Sequence, residues 1–159
     1  MPHFRVTKYD PAHRDASGAY LHDEWTSFSD IGKVFAGTLL TLKTYEETEN
    51  AYISAAVDFL REAGASCLHV VGLEVQPDAV GAPLEDDTLN LEQIASVLRG
   101  LLREDFWCRL EGENVFFHVG WDYYMYVGVP HQCPVAKASA RSRGLFVEAF
   151  ASPYATSAA

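Results

Sequence analysis

FWCRLEGENVFFHVGWDYYMYVG, Phe106 to Gly128, interleaves aromatic, β-branched and turn residues more densely than any other stretch of the chain, and its reading decides the fold. Phe106, Cys108 and Leu110 alternate with Trp107, Arg109 and Glu111, the period of two that a strand with two unlike faces produces. Gly112, Glu113 and Asn114 then supply a turn, because Gly and Asn tolerate the positive φ that tight hairpins need. Alternation resumes with Val115, Phe117 and Val119 on one side and Phe116, His118 and Gly120 on the other. Gly120, Trp121 and Asp122 break the pattern before a third aromatic run, Tyr123 to Val127, and the break fits either a tight turn or a bulge in one long strand. The stretch is a meander of short strands.

Outward from the meander, the second helix is marked by Asn90 as cap, Gln93 three residues on, and Leu89 placed to staple onto Ile94. Its stripe, Leu91, Ile94, Leu98, Leu101 and Leu102, points inward and leaves Glu92, Ser96, Arg99 and Arg103 outside. A longer helix starts after Thr41 and stops at Gly64, with Tyr45, Tyr52, Ile53, Ala56, Phe59, Leu60 and Ala63 in register. Glu49 lies on that apolar side, where a carboxylate must be hydrogen-bonded, paired with a base, or shifted in pKa. Between the helices, the apolar run Cys67–Val75 reads as a central strand covered on both sides.

At the N-terminus, Phe4 and Val6 alternate with Arg5 and Thr7 in a first strand that ends at Asp10-Pro11. Residues 11–40 carry no clear period and form a long irregular segment, anchored by Trp25 and Phe28. After the meander, the Pro-broken, then small and basic stretch 129–143 reads as a mobile loop, Leu145–Ala151 as a last strand, and residues 152–159 as a tail. The order predicts an α+β single domain over residues 1–159, with two main helices on one face of a mostly antiparallel sheet. A chain of 159 residues buries roughly 70% of the surface it exposes when unfolded, so no staples are required.

Charge narrows the partners. Twenty-two Asp and Glu face 12 Lys and Arg, a net charge of −10, so polyanions are repelled and nucleic acid is not an expected partner. A basic protein surface is drawn in instead. Three widely spaced cysteines, Cys67, Cys108 and Cys133, read as reduced thiols of a cytoplasmic protein. No apolar run reaches the ~20 residues of a membrane span, so no membrane is expected.

With the helices on the Cys108, Leu110, Phe117 side, the opposite sheet face presents Trp107, Arg109, Phe116, His118, Tyr124, Tyr126, Phe146 and Glu148. Tyr, Trp and Arg are the residue types that dominate binding hot spots. The candidate partner-binding set is therefore Trp107, Arg109, Phe116, His118, Asp122, Tyr124 and Tyr126, with Asp23, Glu24 and Asp30 as outer charges. Two arrangements are open for this face: exposed to a partner, or covered by the irregular segment through Trp25 and Phe28. The rival reading is a small enzyme or ligand-binding domain whose pocket uses Glu49, His118 and Asp122 for acid–base work, and a third is a homo-oligomer pairing through the aromatic face. His131-x-Cys133 and His22-Asp23-Glu24 lack the paired spacing of a zinc site, and the absence of G-x-G-x-x-G and P-loop patterns leaves no cofactor expected. Lys137, Arg141 and Arg143 could hold a phosphate, though a solvated loop is the simpler reading.

The strings WTSFSDIGK (25–33), LTLKTYEETENAYISA (40–55) and HVGWDYYMYVG (118–128) resemble those of small bacterial proteins of unassigned role, acidic single domains similar to the immunity proteins that neutralise toxins. The resemblance covers about a quarter of the chain and transfers no residue roles. It implies a binding role and nothing more; together with the acidic charge, the expectation is a partner-binding protein, with an immunity-type inhibitor of a basic toxin enzyme as one form of it.

Overall fold

The computed structural model describes residues 1–155 and shows an α+β fold, three helices against one face of a seven-stranded antiparallel sheet. The strands are β1 (His3–Thr7), β4 (Cys67–Val75), β5 (Thr88–Asn90), β6 (Phe106–Glu111), β7 (Phe116–Val119), β8 (Met125–Gly128) and β9 (Phe146–Ala149), in the spatial order β5-β4-β6-β7-β8-β1-β9. A separate small ribbon pairs β2 (Val34–Phe35) with β3 (Thr38–Leu39) inside the long N-terminal segment. The helices are α1 (Leu42–Glu62), α2 (Leu91–Leu102) and α3 (Pro134–Ser142).

Local chemistry sets the helix ends. Thr41 Oγ1 accepts the Thr44 N–H at 3.2 Å, and Gly64, at φ +74°, supplies the left-handed residue that ends α1. Asn90 and Gln93 form the reciprocal capping box of α2, each side chain accepting the other's backbone N–H at 2.9 Å. Between helices and sheet lies one apolar cluster containing Phe59, Leu60, Leu68, Ile94, Leu98, Leu110, Phe117 and Val127, all fully buried. Each such side chain contributes roughly 1.5–3 kcal/mol relative to exposure.

Two expectations are corrected. Residues 129–143 are not a mobile loop, because residues 134–142 form α3. β8 and β9 both run antiparallel to β1, hence parallel to each other, and such a pair needs a crossover, usually a helix. Pro134 starts it, Ala136 and Ala140 let it sit close to α1, and Glu62 of α1 accepts the N–H groups of Val135 (3.2 Å) and Ala136 (2.6 Å) at its N-terminus. Cys67–Val75, for its part, is not covered on both sides. Leu68 and Val70 are buried under the helices, whereas Cys67 and His69 are exposed on the far face, where His69 Nδ1 lies 3.0 Å from Thr88 Oγ1.

The break at Gly120–Asp122 is a tight turn. Trp121, Asp122 and Tyr123 join β7 to β8, and Gly120 donates its N–H to the Tyr124 carbonyl at 2.8 Å. The four C-terminal residues assigned to a tail, 156–159, lie outside the described residues. Among the described residues, no helix is long and apolar enough to cross a membrane.

Candidate functional site

Strand pairing lines up Arg109, His118, Tyr126, Arg5 and Glu148 as one row across the sheet face opposite the helices, as the period-two reading required. Its centre is closed. Phe150 lies over the Arg5 guanidinium at 4.0 Å, Arg5 pairs with Glu148 at 3.1 and 3.2 Å, and Phe150 and Tyr154 cover Tyr126. Phe116 stacks on His118 with ring centroids 4.1 Å apart. Phe116, His118 and Tyr126 are therefore buried and unavailable as anchors. The cover is the C-terminal segment Phe150–Tyr154, the end of the stretch read as a last strand and the first three residues of the one read as a tail, and not the irregular segment 11–40. Trp25 and Phe28 pack instead against Tyr45 and Tyr123, beside α1. The N-terminal segment reaches only the Tyr124 end of the face, where Arg14 donates to the Tyr124 hydroxyl at 2.9 Å and Tyr9 meets the Tyr124 ring.

A one-directional chain of hydrogen bonds fixes the cover. Tyr154 donates its N–H to Ser152 Oγ (3.1 Å), Ser152 Oγ lies 2.7 Å from His118 Nδ1, and His118 Nε2 lies 2.9 Å from Glu111 Oε1. With the Nε2–H tautomer, both ring nitrogens of His118 and the Ser152 hydroxyl proton are used. Ser, His and Glu in contact share the pattern of a hydrolase triad, but Ser152 and His118 are both shut off from solvent, and Oγ already accepts a backbone N–H. The chain is a fastening. Sequence reasoning missed Ser152 because small residues and a proline surround it, and only the sheet register brings it to His118.

Glu49 is fully buried between α1 and α2 and saturated. It accepts from the Tyr45 hydroxyl (2.7 Å), from Arg103 in a two-pronged contact (2.8 and 2.9 Å), and from Arg99. Arg99 and Arg103, half-exposed at the end of α2, thus do not stand free outside but reach back to the only buried carboxylate of α1. Glu49 and His118 lie on opposite sides of the sheet with no shared partner, so the structure does not assemble the acid–base group Glu49, His118 and Asp122. The outer charges are also occupied: Asp23 accepts the Ala36 N–H, Glu24 pairs with Lys8 at 3.0 Å, and Asp30 accepts the Thr26 N–H and pairs with Lys33. Arg109 pairs with Glu111 at 3.6 Å.

At one end of the sheet the far face opens. A groove of about 740 Å³ lies where β4 ends, β6 begins and the β7–β8 turn projects. Its lining includes Trp107, Trp121 and Tyr154, the buried Phe106, and the acidic residues Glu74, Glu104 and Asp105, with no Lys, Arg or His among the lining residues. Trp107 is held in place by its indole N–H, which donates to the Val119 carbonyl at 2.9 Å. Trp121 stands out into solvent, 76% exposed. Its turn is strained: Asp122 and Tyr123 have φ of +61° and +66°, a region where a bulky residue such as Tyr is out of place. Two hydroxyls hold that turn from inside, Tyr9 donating to the Asp122 carbonyl (2.7 Å) and Tyr52 to the Tyr123 carbonyl (2.9 Å). Of the anticipated set, Trp107 and Asp122 are at or beside this groove. Trp121, Glu74, Glu104, Asp105 and Tyr154 were not singled out, although the Gly-Trp-Asp break in the meander was the visible signal for Trp121.

A smaller cavity of about 330 Å³ lies at the opposite end, beside Cys67, His69, Gly112 and Pro130. Among the described residues, no three His, Cys, Asp or Glu side chains converge as a metal site requires. The basic trio of the crossover is dispersed: Lys137 lies over the Phe4 ring and Arg143 is 3.6 Å from Asp58, while Arg141 reaches the Val147 carbonyl. No family model, curated protein or solved structure matches this chain.

Proposed function

We propose that this chain is a binding protein for a basic protein surface, in the manner of an immunity protein that occupies and silences a toxin-type enzyme. The observation that carries the reading is a set of uncompensated charges: among the described residues, Glu74, Glu104 and Asp105 have no cation within 4.0 Å and no side-chain hydrogen bond. Elsewhere Arg5, Lys8, Arg103 and Arg109 are each committed to a carboxylate of their own chain. Carboxylates beside low-dielectric walls focus a negative field, and the net charge of −10 adds long-range attraction that salt weakens. Large rings that hold their place give contact area at little entropic cost. The rival enzyme reading lacks support because its acid and base face opposite sides of the sheet.

The test uses the basic enzyme domain of the secreted or contact-delivered type encoded beside this chain's gene. Both proteins are produced, and binding is measured by calorimetry at low and high salt together with residual enzyme activity. The expected result is a one-to-one complex, slower to form at high salt, with the enzyme silenced. A neighbourhood without such a domain, or a domain neither bound nor inhibited, overturns the reading.

A further inference from the structure

We infer that the groove beside Trp121 is a seat for one arginine side chain of the basic partner, an assignment that rests on the partner-binding reading and sharpens it. The molecule itself supplies the precedent. Arg5 lies 4.0 Å under the Phe150 ring while bonding Glu148, and Arg103 lies 4.8 Å from the Phe28 ring while gripping Glu49. In both places a guanidinium fills the space between an aromatic face and a carboxylate. The groove repeats that pairing of elements, the aromatic residues Trp107, Trp121 and Tyr154 with three carboxylates, and has no cation of its own among the described residues.

Arginine fits this chemistry better than lysine. A guanidinium is planar, is weakly hydrated on its faces, stacks on indole, and offers a fork of N–H donors to carboxylates, whereas an ammonium is a compact and strongly hydrated point charge. The volume, about 740 Å³, falls in the range of roughly 300–1,000 Å³ typical of ligand pockets, so it suits a long side chain together with its adjoining backbone. Trp121 is offered by a turn rather than left loose: the left-handed Asp122 and Tyr123 are held from the interior by Tyr9 and Tyr52, so its backbone is set before a ligand arrives.

The probe is Nα-acetyl-arginine amide, titrated into the whole protein and followed by tryptophan fluorescence and by ¹H–¹⁵N correlation spectra, with the lysine and citrulline amides as controls. Saturable shifts confined to residues 73–76, 104–107, 119–121 and 154 are expected, weaker with lysine and absent with uncharged citrulline. Trp121→Ala, and separately Glu104→Gln with Asp105→Asn, should each weaken the arginine amide by about fivefold or more while the remaining spectrum stays that of a folded protein. No shift in the groove, or equal shifts with citrulline, overturns the assignment. So does a groove that broadens with protein concentration alone, which would make a second copy of this chain its occupant. If the partner enzyme binds and the groove variants leave that affinity unchanged, the arginine seat falls and the partner-binding reading stands. If no partner binds but the arginine amide still titrates the groove, the reverse holds.

Discussion

Ser152 Oγ sits 2.7 Å from His118 Nδ1 and closes the C-terminal segment over the aromatic sheet face. His118 is buried, so its ring nitrogen has no water to replace a lost partner. Ser152→Ala should therefore cost about 1–3 kcal/mol of stability, by analogy with other buried groups left unsatisfied. Since Tyr154 both donates to Ser152 and lines the groove, the same variant should loosen that wall. Urea unfolding gives the first effect and the arginine-amide titration the second; a loss below about 0.5 kcal/mol would mean the fastening does not hold the segment.

Glu49 joins α1 to α2 through a carboxylate with no exposed surface. Burial acts to raise its pKa, but hydrogen bonds from Arg103 and Tyr45 and the charges of Arg103 and Arg99 outweigh it, leaving the carboxyl below its ordinary value. A depressed folded-state pKa contributes stability above the unfolded pKa, and that stability is lost as pH falls through the folded value. Glu49→Gln should cost about 1–3 kcal/mol at neutral pH, because two arginines lose their counter-charge together while both keep part of their hydration. Acid unfolding of the variant should be less steep than that of the parent, which pH-dependent calorimetry would record.

The fold was legible where pattern and chemistry agree over several residues. The capping box at Asn90 and Gln93, the Thr41 cap, and the two-sided strands Phe106–Glu111 and Phe116–Val119 all follow from local rules. What was not legible depends on distant register. Residues 134–142 look like a loop because Ala, Ser and Lys carry no strong apolar stripe, yet the parallel relation of β8 and β9 about β1 demands a crossover there. Ser152 and Tyr154 look like a tail for the same reason. The outward-facing rings were identified correctly, but their exposure was set by what crossed them, which no period in the sequence records.

Lys8 reports on the interior by titration. Its ammonium lies 4.0 Å over Trp25 and 4.4 Å over Tyr9, and burial lowers its pKa to about 8 despite the Glu24 carboxylate 3.0 Å away. Between about pH 8 and the ordinary lysine value of 10.5 the unfolded chain carries a proton that the folded chain has released, so stability rises with pH across that window. Above about pH 10 the buried Tyr9, Tyr45, Tyr52 and Tyr123, whose pKa values burial raises, work in the opposite sense as the unfolded chain ionises first. The Cys108 and Cys133 thiols, also pushed up by burial, act in that opposite sense from about pH 9, so chemical unfolding at successive pH values should show a rise that begins near pH 8, flattens near 9 and reverses above 10. Lys8→Met should abolish the rise and keep the reversal.

Gly128 faces Phe116 across the β7–β8 pair, and there a side chain has no room. A Cβ at Gly128 would stand 2.1 Å from Phe116 Cε2 and within 2.6 Å of two further ring carbons. The ring cannot step aside freely, because His3 meets its edge at 4.8 Å and His118 stacks on its face at 4.1 Å. Gly128→Ala should therefore cost about 1–3 kcal/mol from overpacking. The strain passes from Phe116 through His118 to Ser152, so part of the loss should vanish when Phe116 is made smaller. In a double-mutant cycle, Phe116→Leu with Gly128→Ala should be more stable than the two single losses added together, by at least about 0.5 kcal/mol. Gly120→Ala is the control: its Cβ would stand 3.0 and 3.1 Å from Tyr154 and 3.3 Å from Tyr126, contacts that ask for a few tenths of an ångström rather than the displacement of a ring, and the cost should be smaller. Additive losses in the cycle would show that the Phe116 ring is not what reserves position 128 for glycine.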